Sequence, residues 1–452
     1  MRALLVARTL IQGGTIVNEG FSFVGNLVIE NDQIVAIQKE EIQATRGKYD
    51  EVIDATGCFV LPGVIDDHVH FREPGLTEKA DIESETRAAA FGGVTSFMEM
   101  PNTNPPTTSI AALEDKWQRA ALSSHINYSF FFGASNDNYL VFDQLDRHTI
   151  PGIKLFMGAS TGNMLVDKEE QLNNIFQKAH QLDLPVMTHC EDSKVISQNM
   201  AAYKAKYGDD PAIEFHDKIR SREACIASSQ LAIALAKRYQ THLHIAHVST
   251  AEELNLVSPA DNLITFEACI AHLMFTNEDY TTKHALIKCN PSVKASTDRK
   301  ALREALRNGK IYIVGTDHAP HLLSQKQCGC SKAASGMPML QFSLISMLTL
   351  VDEGYLTIEH LVELMAHHPA QLFHITKRGF LREGYKADVA IVRRSVPWTL
   401  TNDIVQSKCG WSPLEGTIFS WKVVHTLCNG QHIYNNGVFD VGSQGEKLLF
   451  RH

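Results

Sequence analysis

The chain has 452 residues, of which 44% are hydrophobic, 21% charged and 8% aromatic, the composition of an ordinary globular protein; disordered, collagen-like and low-complexity classes are excluded. Its 42 basic and 51 acidic side chains leave a formal charge of -9 with no basic stripe, which argues against nucleic acid or an anionic membrane as partner. No apolar run nears the roughly 20 residues that span a bilayer. The start, Met1 to Val6 followed by Arg8, is too short for a secretory core, so a cytoplasmic location is expected. Nine scattered cysteines, an odd number without a framework of spacings, are expected as reduced thiols.

Residues 1–54 read as short strands and turns, at Gly13 to Val17, Asn26 to Ile29 and Gln33 to Ile37. Between 55 and 380 eight strand-length apolar runs follow: Val64 to Val69, Val94 to Met100, Ile126 to Phe132, Gly152 to Met157, Leu184 to Thr188, His242 to His247, Asn262 to Ala268 and Ile311 to Thr316. Helical stretches separate most of them, such as Asp81 to Phe91 closed by Gly92-Gly93 and Asp298 to Asn308 closed by Gly309. This alternation predicts an α/β fold, a (β/α)8 TIM barrel whose reactive groups sit at the C-terminal strand ends. An open doubly wound sheet competes, but no Gly-x-Gly-x-x-Gly follows a first strand. Residues 381–452 return to strand texture, at Gly384 to Val392 and Val423 to Gly430. Two β-rich ends therefore bracket the barrel.

His68-Val69-His70 closes the first barrel strand, where a period of two aims both imidazoles to one face. Taken alone, such a pair is more often a set of satisfied core or surface histidines. Its company changes the reading, because His189 ends the fifth strand, His247 the sixth and Asp317 the eighth. Four histidines and an aspartate at one mouth are a donor set for zinc and similar divalent ions. Lys154 is the one charged residue in the apolar fourth strand. Burial would lower its pKa and leave neutral amine able to add carbon dioxide, giving a carbamate that could bridge two metals. Snorkelling to the rim, or pairing with Asp317 or Glu191, explains the lysine equally well.

With these residues in this order, the chain resembles the amidohydrolase superfamily over nearly its whole length. The segments His68-Val69-His70-Phe71-Arg72-Glu73-Pro74-Gly75, Met100-Pro101-Asn102-Thr103 and Thr316-Asp317-His318-Ala319-Pro320-His321 are most similar to the dihydroorotase family. The resemblance implies reversible cyclisation of N-carbamoyl-L-aspartate to L-dihydroorotate in pyrimidine biosynthesis, and a small β-sandwich built from both chain ends. It implies two divalent metal ions, zinc foremost, with His68, His70 and Asp317 on the first, His189 and His247 on the second, and Lys154 as an N6-carboxylysine bridge. It further implies attack by a metal-bridged hydroxide, with Asp317 as general acid and base. Arg72, Asn102 and His321 would hold the substrate carboxylate, as a planar guanidinium and an amide donor can. Asn290 would lie near the ring.

Other readings stay open for several of these residues. Arg72 could form a surface ion pair with Glu73 or Glu78, and Asn290 could serve loop turn chemistry. An allantoinase or hydantoinase is the alternative within the superfamily: allantoinases share much of the pattern but typically carry asparagine where Arg72 stands, and dihydropyrimidinases lack the Arg72 and Asn102 pair and carry a tyrosine near the bridging lysine. A catalytically silent scaffold would be expected to lose ligands, and this chain keeps all six positions. Cys328-x-Cys330 is read as loop rather than half a metal site, and Gly158 to Asn163 as a candidate lid or a plain turn. A homodimer is the commonest symmetric assembly.

Overall fold

The apolar runs in the middle of the chain form strands buried on both faces, as a covered parallel sheet requires. The computed structural model describes residues 7–39, 48–158, 164–258 and 260–451. Five strands come first: β1 (Arg8–Asn18), β2 (Phe21–Glu30), β3 (Gln33–Gln38), β4 (Glu51–Asp54) and β5 (Phe59–Pro62). The barrel strands follow as β6 (Val64–Val69), β7 (Val94–Glu99), β8 (Asn127–Phe130), β9 (Phe132–Gly133), β10 (Ile153–Phe156), β11 (Val186–His189), β12 (Leu243–Ile245), β13 (Ile264–Cys269) and β14 (Ile313–Gly315). The chain ends with β15 (Val389–Thr399), β16 (Ile418–Cys428), β17 (Gln431–Asn435) and β18 (Val438–Phe439).

All neighbours from β6 to β8 and from β9 to β14 pair in parallel. β8 and β9 act as one strand interrupted at Phe131, whose N–H reaches back to Glu99 O (3.0 Å). The other seam closes where Val69 bridges His318 in parallel and the His70 N–H donates to His318 O at 2.7 Å. The eight expected strands are all present, and the barrel is closed. Between strands, α1 (Ile82–Phe91) starts at an Asp81 cap that accepts from the Ser84 N–H. It ends at Gly92-Gly93, Gly93 taking the left-handed φ of +78° that favours glycine. The second helix, α2 (Ile110–Ser123), buries Leu113, Lys116 and Ala120 on one face.

The strand-rich ends meet in one nine-stranded sheet, ordered β18-β17-β16-β15-β5-β1-β2-β3 with β4 beside β1. β5 joins the halves by pairing antiparallel with β15, Val60 opposite Ile391. Ile11, Leu27, Ile53, Val389 and Leu427 form a core of their own in this sandwich, separate from that of the barrel. No helix among the described residues is long and apolar enough to cross a membrane.

Two strands stop earlier than the apolar pattern suggests. β12 ends two residues before His247 and β14 two before Asp317. Both residues have positive φ, +41° and +48°, which an extended strand cannot accommodate. The side chains therefore project from the first turn beyond the strand.

Candidate active site

β6 presents His68 from inside the barrel and passes it to His70 and Arg72 just beyond its end. Asp317 gathers the first two. Its Oδ1 lies 3.0 Å from His70 Nε2 and 3.4 Å from His68 Nε2. Donor atoms of these three residues all fall within 4.8 Å of one another. Opposite them, His189 Nδ1 lies 2.9 Å from His247 Nε2, and the His68 and His247 rings are 5.2 Å apart. One small cavity, of about 40 Å³, is lined by His68, His70, Arg72, Asn102, His189, His247, Asn290 and Asp317. The fold thus brings eight of the ten expected site residues to a single opening.

Three of the imidazoles are held by one nitrogen and present the other inward. His68 Nδ1 contacts Glu267 Oε1 at 3.0 Å, His70 Nδ1 contacts Asn102 Oδ1 at 2.7 Å, and His189 Nε2 contacts Glu191 Oε2 at 3.0 Å. This is how a protein fixes the tautomer and orientation of metal-binding histidines. Glu267 also accepts the His247 N–H (3.2 Å), tying both halves of the cluster to one carboxylate. Glu191 in turn takes an ion pair from Arg220.

Lys154, on β10, is fully buried, and its Nζ has no hydrogen-bond partner among the described residues. It neither snorkels nor pairs with Asp317 or Glu191. Burial pushes its pKa down, against the opposing pull of Glu267 and Asp317. His247 Nδ1 is likewise buried without a partner. Orphaned donors among converging imidazoles and a carboxylate fit a divalent-cation centre. Burial works against ionisation of Asp317, but the charge of His68 and the hydrogen bond from His70 prevail and hold its carboxyl well below the usual range. His70 is pushed down to about 4 by burial, which keeps its imidazole uncharged near neutrality.

Arg72 lines the same cavity and is not on the surface. It is 3% exposed, its Nε donates to Pro320 O at 3.0 Å, and Nη2 lies 3.1 Å from His321 Nε2. Glu73, the partner in the alternative surface reading, instead meets Arg119 (3.4 Å) and accepts the Ile82 N–H. Among the described residues no carboxylate comes within ion-pair distance of Arg72. Burial lowers its pKa to about 10, which still leaves it charged near neutrality. His321 sits behind it, with burial and then the Arg72 charge pushing its pKa down to about 2. Asn290 Oδ1 has no hydrogen-bond partner among the described residues. Cys330 donates to Ala212 O (3.0 Å) while Cys328 is exposed, in keeping with a loop. Of the candidate lid, residues 159–163 lie outside the described residues.

Glu267 was absent from the expected set, although a charged residue in the apolar run Ile264–Cys269 carries the same signal that singled out Lys154. Glu191 and His318 gave no such signal. His318 holds its place by contacting Glu85 (2.7 Å) and accepting the Met339 N–H (3.1 Å), which fixes the turn that carries Asp317.

A closed parallel barrel with a histidine-rich mouth defines the class of metal-dependent barrel hydrolases. The sequence profile of the amidohydrolase family matches residues 59–433, and the chain belongs to that family. Dihydroorotases of Methanosphaera stadtmanae and Methanothermobacter thermautotrophicus are 29% and 31% identical to it. The first match covers 93% of this chain and 95% of the relative, the second 91% of each. A Pyrococcus abyssi dihydroorotase is 30% identical, covering 97% and 98%. Among solved structures, the L-hydantoinase (dihydropyrimidinase) of Arthrobacter aurescens superposes with a TM-score of 0.90 at 26% identity, covering 96% of this chain and 97% of that one. The dihydropyrimidinase of Brevibacillus agri gives 0.89 at 25%, covering 98% and 100%.

Glu267→Ala is expected to weaken divalent-metal retention by about 10- to 100-fold in a chelator titration, because His68 loses the group that orients it. A variant that held metal as tightly as the parent would detach Glu267 from the centre.

Proposed function

We propose that the chain is a dihydroorotase, interconverting N-carbamoyl-L-aspartate and L-dihydroorotate in pyrimidine biosynthesis. One observation carries this reading: a buried guanidinium without a carboxylate partner opens onto the cavity of the candidate metal centre. A charge in that position is costly until an anion answers it, and dihydroorotate brings one carboxylate alongside a cyclic amide. Arg72, Asn102 and His321 would hold that carboxylate and set the ring amide against the imidazoles.

His68, His70 and Asp317 would hold one divalent ion and His189 and His247 a second, zinc being best suited to these donors. Lys154 would join them as its carbamate, formed when the neutral Nζ bonds to the carbon of carbon dioxide and releases a proton. When bound, such ions supply Lewis acidity toward a carbonyl and acidify water. Asp317, kept ionised by its surroundings, accepts the proton of the attacking water and delivers it to the departing ring nitrogen. The cyclisation retraces this path. Asn290 would meet the ring, and Phe156 gives the cavity an apolar wall. Nine free cysteines suit a reducing compartment, and the cytoplasm is the proposed location.

The solved neighbours named hydantoinase and dihydropyrimidinase favour a second reading, a cyclic amide without the carboxylate. The buried Arg72, which has no carboxylate partner among the described residues, argues against it. Dihydroorotate, allantoin and dihydrouracil assayed side by side separate the two; faster turnover of either uncharged substrate would refute the dihydroorotase reading. Arg72→Met is expected to cost about 2–5 kcal/mol in kcat/KM on dihydroorotate, roughly 30- to 4000-fold, with a much smaller loss on dihydrouracil. Equal losses would remove the carboxylate clamp.

Lys154→Ala should be inactive and contain less metal, and short carboxylic acids that fill the vacated space should partly restore both. Full metal occupancy without added acid would count against the carbamate.

A further inference from the structure

Behind the cavity wall lies an ion pair that has no place in the chemistry described so far. Glu99, the last residue of β7, and Lys116, on the buried face of α2, are both 0% exposed, with Nζ 2.8 Å from Oε2. Neither lines the cavity. Lys116 occupies a position in the buried stripe of α2, between Leu113 and Ala120, where an apolar side chain would pack without a desolvation cost.

The remaining bonds of the pair lead to two particular backbone groups. Glu99 Oε1 accepts the N–H of Phe71 at 3.0 Å, the residue immediately before Arg72. Lys116 Nζ donates to the carbonyl of Met100 at 3.1 Å, two residues before Asn102. Arg72 itself has a φ of +69°, a left-handed conformation disfavoured for a non-glycine residue and kept only where its surroundings impose it. The Phe71 ring is packed 4.4 Å from Phe97, so its peptide is fixed on one side by packing and on the other by Glu99.

We propose that Glu99 and Lys116 are positioning residues for substrate selection, one buried pair that sets the spacing between the Arg72 and Asn102 arms of the carboxylate clamp. The inference rests on the dihydroorotase reading and deepens it. Each arm is anchored one or two residues upstream of its functional side chain, and the anchors belong to opposite members of one ion pair. Burial disfavours the charge on each partner, pushing Glu99 up and Lys116 down, and the charge of the other opposes only part of that shift, so the two act as a unit. The carboxylate that Arg72 binds is the one group separating dihydroorotate from an uncharged ring, so the spacing of the arms bears on affinity for the acid and not on the hydrolytic step.

The test is Glu99→Leu combined with Lys116→Met, which replaces the pair by side chains of similar volume; such replacements of buried ion pairs are often neutral for stability. Steady-state kinetics on the metal-loaded enzyme should show KM for dihydroorotate raised about tenfold or more with kcat within about threefold of the parent. A pair that merely stabilises the fold would reduce the active fraction, lowering apparent kcat and leaving KM unmoved, and that result overturns the proposal. If the Leu/Met variant does not fold, Glu99→Gln with Lys116→Met, which retains an acceptor for Phe71, carries the test through a smaller rise in KM. Failure of both variants to fold assigns the pair to stability alone. A parent enzyme silent toward dihydroorotate overturns the functional reading and the clamp with it, whereas an active parent with an unchanged variant KM overturns only the positioning role.

Discussion

Parallel strands that close on themselves bury both faces of their residues, so an ionisable side chain placed on one of them has no water to answer its charge. Each must find a partner, lose its charge or wait for a ligand. In the interior of this barrel partners are mostly supplied. Asp66 accepts from the Thr316 hydroxyl at 2.6 Å, Glu267 takes His68, the His247 N–H and the Cys269 thiol, and Glu191 takes Arg220. At the mouth the supply stops. Among the described residues Lys154 Nζ, His247 Nδ1 and Asn290 Oδ1 have no hydrogen-bond partner, and Arg72 has no carboxylate. The candidate site gathers several such unanswered groups around one opening, while others lie elsewhere in the fold.

Backbone geometry keeps these groups together. Arg72, His247 and Asp317 all stand in left-handed conformations, each worth on the order of 1–3 kcal/mol of local strain. Around each, hydrogen bonds leave little alternative. The Thr316 contact to Asp66 and the His318 contact to Glu85 flank Asp317 on both sides, while Glu267 grips the peptide of His247 and Glu99 the peptide before Arg72. A strand ends, turns sharply and points a side chain into the opening. That arrangement, repeated around the barrel, lets residues remote in sequence meet within a few ångströms.

Much of this was legible before any coordinates. Eight apolar runs with helices between them specify the barrel, and chemistry-bearing residues stand out at the ends of such runs because little else polar occurs there. His68, His189 and Lys154 are visible for that reason. Partnerships were not legible, because they join residues that sequence does not bring near one another: Glu85 with His318, Glu191 with Arg220, Glu99 with Lys116. An acid or lysine on an amphipathic helix reads as solvated unless its neighbours in space are known. The same limit left the surface alternative open for Arg72, since the adjacent Glu73 offers a plausible partner that the fold gives to Arg119.

How the mouth works turns on whether the imidazoles, Asp317 and a modified Lys154 hold a pair of cations beside a guanidinium reserved for an acid. Anomalous diffraction from zinc-loaded crystals grown with N-carbamoyl-L-aspartate addresses it directly. Two zinc peaks are expected, one among His68, His70 and Asp317 and one between His189 and His247, with density extending from Lys154 Nζ to both and the ligand's carboxylate on Arg72. A single peak elsewhere, an unmodified Lys154, or a ligand whose carboxylate avoids Arg72 would contradict it.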